Sequence, residues 1–263
     1  MRFALKQRLR QGETLFGCFL HLGNAVAAEI MGRAGYDWAL VDLEHGSGGE
    51  QEALDQMMAL AGTGAASLVR VESTHRQRAH RVLDYGAEGI VFPHVDTEEE
   101  ARQAVAAMRY PPEGVRGVAF SNRACGFGSD FKEYLSRAHQ DLLCVVQIES
   151  PLAVENAARM AALDGVDVLF VGPTDLSQSM GMLGEFSRPE FQQAAAHVAE
   201  AARRAGKYAG LLLPKKEDVA HYWELGYRFM ISGSDGVLLN LAARATVAAL
   251  QEARGRLPSA AAS

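Results

Sequence analysis

Cysteine is scarce in this chain of 263 residues: the three present, Cys18, Cys125 and Cys144, are odd in number and never fall in a C-x-x-C pair. That argues against a disulfide framework or a structural zinc site, and the thiols are expected to be reduced. Lysine is limited to Lys6, Lys132, Lys207, Lys215 and Lys216, none inside a predicted strand. Schiff-base chemistry needs an amine held in a pocket with a lowered pKa, so that route is disfavoured, with Lys215 after the seventh predicted strand the one candidate. An excess of positive charge is also missing. With a net charge of -6, a pI near 5.8 and scattered basic residues, nothing forms a stripe for a phosphate backbone, so neither nucleic acid nor membrane is an expected partner. No stretch approaches the ~20 apolar residues of a membrane span. The start, MRFALKQRLRQGE, lacks the continuous apolar run of a signal peptide, which makes the cytoplasm the expected location. The first turn reads HLGNAV where a dinucleotide-binding open sheet would show G-x-G-x-x-G, which counts against that fold.

What is present is an α/β pattern. The composition, 48% hydrophobic and 22% charged, suits one large core. Short apolar, β-rich runs occur at 17–20, 38–43, 67–71, 89–95, 143–148, 167–172, 208–213 and 228–232. Stretches with helical spacing separate them, several ending in Gly, as helices commonly do. Strict alternation of strand and helix predicts a parallel sheet, and strands apolar on both faces must be covered by helices. Eight such units without a linker predict a single (β/α)8 TIM barrel over residues 1–256, with an N-terminal helix and a frayed tail at 257–263. The segment 109–130 is a long turn-rich insertion between strands four and five, and loops of that length are usually functional or mobile.

In such a barrel the carboxyl ends of the strands face the active site. Strand two ends in VDLEHG, strand three in VRV, strand five in VQIES and strand six in VGPTDLS. Glu149 and Asp175 can each give a hard oxygen ligand to one divalent ion; the alternative is that both merely cap the helices that follow. His45 can move a proton near neutral pH, with Asp42 or Asp84 to orient it, or it can be a satisfied hydrogen-bonding group. Arg70 would be costly to bury without an anion, which a substrate, Asp42 or Glu72 can supply. Backbone amides from Gly172, Pro173, Thr174 and Asp175 stand where a helix start can bind a carboxylate, although Gly-Pro also marks ordinary turns.

Taken together, GYDWALVDLEHG, LVRV, LLCVVQIES, GVDVLFVGPTDLSQSMG and YPPEGVRGV resemble the HpcH/HpaI family of class II pyruvate aldolases, over about residues 3 to 255. The resemblance implies that Glu149 and Asp175 hold Mg, Mn or Co, that pyruvate chelates the metal, and that Arg70 supports the enolate oxygen. It assigns His45, with Asp42 or Asp84, to proton transfer. Gln147, the Gly172 to Asp175 turn, Leu212 and Arg123 join as substrate-binding candidates. It also implies a homohexamer in which the last helix, VLLNLAARATVAAL, exchanges between subunits. The loop RGVAFSNRACGFG is more similar to the 2-dehydro-3-deoxyglucarate aldolases than to the hydroxy-ketoheptanedioate aldolases. The phrase GFGSDFKEYL resembles a siderophore-pathway citrate synthase of the same superfamily. His21, His94 and Cys125 receive no role. The expected activity is metal-dependent cleavage of a 4-hydroxy-2-oxo acid to pyruvate and an aldehyde. The alternatives are a citrate-synthase-like condensing enzyme or lyase and, from another class, a silent 2-oxo-acid sensor.

Overall fold

The computed structural model describes residues 4–257. Its strands form a closed barrel in chain order, all neighbours parallel, with β1 pairing to both β2 and β8. A short helix α1 (Ala4–Arg10) leads into β1 (Leu15–Leu20), α2 (Ala25–Arg33) and β2 (Trp38–Asp42). Then follow α3 (Glu50–Leu60), β3 (Ala66–Arg70), α4 (Arg76–Asp84), β4 (Gly89–Phe92), α5 (Glu98–Met108) and α6 (Phe131–Asp141). The second half runs β5 (Leu143–Ile148), α7 (Pro151–Ala161), β6 (Val168–Val171), α8 (Pro173–Ser179) and α9 (Pro189–Arg204). It finishes with β7 (Tyr208–Leu212), α10 (Val219–Leu225), β8 (Tyr227–Ser234) and α11 (Asp235–Gly255). The alternation in the sequence therefore closes as the (β/α)8 TIM barrel it predicts. The expected frayed tail lies, from residue 258 on, outside the described residues.

Alternating strand side chains build two cores. Inside the barrel, Trp38, Leu40, Leu68, Val145, Phe170 and Phe229 pack with Leu5 and Leu9 of α1. Helix α1 plugs the amino-terminal end of the barrel, where Lys6 Nζ donates to Leu142 O at 3.0 Å and to Asp167 at 2.9 Å. Trp38 stacks on Phe229 with centroids 3.9 Å apart, and a Cβ on Gly17 would come within 2.4 Å of the indole. Only glycine fits there. The other core lies between strands and helices and includes Cys18, Val41, Val69, Ile90, Val146 and Leu169. All three cysteines are buried and unpaired.

The fourth strand is shorter than the apolar run suggests. It stops at Phe92 because Pro93 has no N–H for the ladder and His94 turns the chain with a φ of 48°. The connecting helices run back from the mouth, which puts 109–130 at the amino-terminal end of the barrel. There the N–H of Ala124 donates to Asp84 O, and Arg123 Nη1 donates to Tyr85 O, both at the end of α4.

Helix α11 leaves the barrel. From Val237 to residue 257 every position is exposed, including Leu238, Leu239, Leu241, Val247 and Leu250. Its start is fixed by Asp235, which accepts from the N–H groups of His21 and Leu22 at 2.9 and 3.2 Å. Among the described residues, no helix is long and apolar enough to cross a membrane.

Candidate active site

Asp42 closes β2, Arg70 closes β3, and the ladder register sets them side by side. Arg70 Nε donates to Asp42 Oδ1 at 2.9 Å and Nη2 to Oδ2 at 2.7 Å, a two-pronged bond between buried groups. Arg70 Nη1 lies 3.1 Å from Glu44 Oε2, and the Phe19 ring lies 5.0 Å from the guanidinium carbon. Of the two partners expected for Arg70, Asp42 is the one it meets, with Glu44 beside it, while Glu72 pairs with Arg78. Asp42 also accepts from the N–H groups of Glu44 and His45 at 3.1 and 3.3 Å. Burial pushes its carboxyl up, but the contacts with His21 and Arg70 outweigh burial and hold it well below the usual carboxylate range.

Glu149 follows β5 directly and is in the opposite state. Its Oε1 accepts from Gln147 Nε2 at 2.9 Å, and its Oε2 from the backbone N–H of His94 at 3.0 Å. Ser150 caps α7 by accepting from the Ala153 N–H, so Glu149 is not used as a cap. Among the described residues its one ion contact is the exposed His94, with Nδ1 at 3.6 Å. Burial pushes the Glu149 carboxyl up; His94 pulls against that, while Asp175 and Glu44 add to it. A Cβ on Gly172 would fall 2.3 Å from Glu149 Oε1, so the carboxylate rests against bare backbone. Asp175 is exposed in the first turn of α8, whose N-cap is Gly172. The Gly172 N–H donates to Ile148 O and Pro173 has none, which leaves the amides of Thr174 and Asp175 at this helix start.

A buried carboxylate without a lysine or arginine partner, next to a second acid, has the donor chemistry of a hard-cation site. Gln147 Oε1 beside it is buried without a hydrogen-bond partner. Among the described residues no group of three or more His, Cys, Asp or Glu side chains converges to hold an ion. Protein donors at this place are therefore few, and an ion here would take its remaining ligands from water and substrate.

Three imidazoles stand at the mouth, after β1, β2 and β4. Asp42 was expected to orient His45, yet the ring it meets is His21, whose Nε2 lies 3.0 Å from Asp42 Oδ2 without an in-line hydrogen bond. His45 is 65% exposed at its side chain and its nearest acid is Glu44, at 3.8 Å. The strand β2 turns sharply after Asp42, so the backbone of His45 approaches that carboxylate while its ring points to solvent. Sequence reading gave no role to His21 or His94; the available signal was that each follows a strand end. Leu212 closes β7 at the same mouth. Asp84 and Arg123 are not brought to this place within one chain. Asp84 ends α4 at the other end of the barrel and accepts from the buried Arg116 at 2.8 Å.

Comparison with known proteins agrees with this architecture. Residues 15–242 match the family model HpcH/HpaI aldolase/citrate lyase. The 5-keto-4-deoxy-D-glucarate aldolase of Klebsiella pneumoniae is 40% identical over 230 residues, covering 88% of this chain and 90% of that protein. A solved HpcH/HpaI aldolase/citrate lyase family protein from Burkholderia cenocepacia superposes with a TM-score of 0.88 at 38% identity, covering 96% of this chain and 99% of the other. The citrate synthase SbnG superposes with a TM-score of 0.87 at 25% identity, over 96% and 99% of the two chains.

Proposed function

From the premise that this chain belongs to the HpcH/HpaI aldolase/citrate lyase family, we propose that it cleaves 4-hydroxy-2-oxo acids to pyruvate and an aldehyde, and joins them in reverse. The enzyme is a carbon–carbon lyase. Its substrate is an acid like 2-dehydro-3-deoxyglucarate or 2,4-dihydroxyhept-2-enedioate; the aldolase relatives, named for 5-keto-4-deoxy-D-glucarate, support the first. The observation that carries the reading is Glu149, a buried carboxylate that lacks a lysine or arginine partner and feels Asp175 nearby.

Glu149 and Asp175 would hold a divalent cation, Mg, Mn or Co, which when bound supplies Lewis-acid polarisation of the 2-oxo acid. The remaining work falls to the chain's own groups. Gln147 and the His94 N–H fix the Glu149 carboxylate. The amides of Thr174 and Asp175 receive the substrate carboxylate, Gly172 and Pro173 shape that turn, and Leu212 walls the aldehyde half. His45 removes the proton of the 4-hydroxyl, the C3–C4 bond breaks, and its electron pair moves to give an enolate with charge on the C2 oxygen. Arg70, already held by Asp42 and Glu44, meets that charge without reorganising. Protonation at C3 completes pyruvate. His21 is a second reading for the base, favoured by its 3.0 Å contact with Asp42.

The assembly we assign is a homohexamer in which α11 exchanges between subunits, supported by its fully exposed apolar run. Asp84 and Arg123, at the far end of their own barrel, would then serve a neighbouring mouth, Asp84 toward His45. The three unpaired cysteines fit a cytoplasmic location.

A pyruvate-release assay over a panel of 4-hydroxy-2-oxo acids, with and without chelator, tests the whole. Release that stops on metal removal and returns with Mg or Mn is expected; full activity in excess chelator overturns the cation. Free thiol formed from oxaloacetate and acetyl-CoA, with no pyruvate from any panel member, would replace the aldolase with a condensing enzyme like the similar citrate synthase. Binding of 2-oxo acids with no turnover would leave the sensor.

A further inference from the structure

His94 stands in a backbone conformation that few residues other than glycine adopt. Its φ of 48° lies in the left-handed region, and Phe127 is the only other non-glycine there among the described residues. Glycine occupies this region without steric cost, whereas other residues are uncommon there, Asn, Asp and His being the most frequent, and they persist where the surroundings hold them, typically at functional sites. The surroundings here do so. Directly after it, Val95 N–H donates to Gln147 O at 3.3 Å. One residue further on, Asp96 accepts from Ser150 Oγ, the cap of α7, at 2.5 Å and, through its carbonyl, from Asn156 Nδ2 of α7 at 2.9 Å. Thr97 and Glu100 then close a capping box on α5.

The turn so fixed places two parts of His94. Its N–H meets Glu149 Oε2 at 3.0 Å, and its ring sits between two acids, Nδ1 3.6 Å from Glu149 and Nε2 3.8 Å from Glu44. Glu44 is the acid that holds Arg70 Nη1. A glycine at this position would keep the N–H and avoid the strain, so the backbone alone gives no reason for an imidazole. The ring is what the strained conformation delivers.

We propose that His94 is a positioning residue whose ring, set between Glu44 and Glu149, holds these two like-charged carboxylates in register and so couples the Glu149 half of the site to the Arg70 half. This deepens the aldolase reading and rests on it for what the site is used for. Without the ring the acids repel each other with nothing between them, and Glu149 swings from the place that Gln147 and the His94 N–H define.

The test compares full-length wild type with His94→Gly, His94→Ala and His94→Asn. The melting midpoint is measured without divalent ions, the Mn dissociation constant by calorimetry on chelator-stripped protein, and kcat and KM by pyruvate release. His94→Gly should raise the midpoint by about 2 °C or more through relief of strain. The same variant should weaken Mn binding and lower kcat/KM by about tenfold each, the usual penalty for losing a group that orients a ligand. His94→Ala should show the same functional loss without the gain in midpoint. His94→Asn, which tolerates the turn and reaches one acid, should recover part of kcat/KM.

A His94→Gly protein with Mn affinity and turnover both within twofold of wild type overturns the proposal. So does one that loses midpoint and activity together, because the ring would then be structural. A wild type that binds no Mn overturns it too. If wild type binds Mn but releases no pyruvate, the aldolase reading fails, and the order of Mn affinities among the four proteins still decides the role of His94.

Discussion

Asp42 and Glu149 are both buried acids at the mouth of one barrel, and they are held in opposite ways. Asp42 has a guanidinium on both of its oxygens, two backbone N–H groups and a nearby imidazole. Glu149 has one side-chain amide, one backbone N–H and two further acids close enough to raise its pKa. One half of the site is finished by the protein itself, and the other is left short of positive charge. The difference separates two kinds of buried acid: one belongs to an ion pair that is complete in the free protein and positions Arg70, and the other, denied a lysine or arginine, is the one we propose for a cation from outside. Both are costly to bury, and only the first is offset within the chain.

Breaking the finished half should have the largest effect. Asp42→Asn leaves the buried Arg70 guanidinium without its two-pronged partner, and losing one member of a buried pair costs about 3–5 kcal/mol. Denaturant unfolding at pH 7 should show that loss. Its pH dependence has a definite sign: a carboxyl held below its unfolded value contributes stability that is present at neutral pH and lost as pH falls through the acidic range. Wild type should therefore lose stability relative to Asp42→Asn below about pH 4, the ordinary aspartate value. Equal acid sensitivity in both proteins would mean that Asp42 is not the ionised partner described.

A smaller but still large effect belongs to Arg70 in the reaction. Arg70→Ala should raise the barrier by at least ~2.7 kcal/mol, about a hundredfold in kcat at saturating Mn, if it acts as a preorganised donor to the enolate oxygen. The assay is pyruvate release well below the melting midpoint, since this variant also leaves Asp42 unpaired. Unchanged turnover would confine Arg70 to holding the mouth together, and the contrast between the halves would lose its chemical meaning.

Much of this was legible before any coordinates, for a physical reason. Barrel strands are buried on both faces, so VDLEHG, VRV and VQIES stand out as places where charge begins at the end of an apolar run. That located Asp42, Glu44, Arg70, Gln147 and Glu149. What failed was pairing across strands. The sequence makes His45 the neighbour of Asp42, but the tight turn sends its ring to solvent while His21, from the adjacent strand, reaches the carboxylate. His94 is in the same class, since a left-handed residue after Pro93 leaves no mark in a single sequence. Asp84, a candidate orienter of His45 from the sequence itself, and Arg123, a candidate by resemblance, are both put at the opposite end of their own barrel by the return direction of α4 and α5.

The effect at Glu149 sharpens the comparison most. Glu149→Gln removes the charge and keeps the shape, so a structural ion pair and an open cation site predict different outcomes. Burial raises the folded-state pKa of Glu149 above its unfolded value. Such a group stabilises the fold when protonated, and that stability is lost as pH rises through the raised folded value. In chelator, wild type should therefore decline relative to Glu149→Gln between pH 5 and pH 8, by about 1.4 kcal/mol for each unit of upward shift. At pH 5 the two proteins should be nearly equal, and at pH 8 the variant should be the more stable. Saturating Mn at pH 8 should then raise the midpoint of wild type and leave that of Glu149→Gln nearly unmoved, because only the carboxylate has a charge to neutralise. Destabilisation of Glu149→Gln at pH 8 without metal would put Glu149 in the same class as Asp42, an acid already satisfied by the chain, and the Glu149 half would then hold no place for a cation.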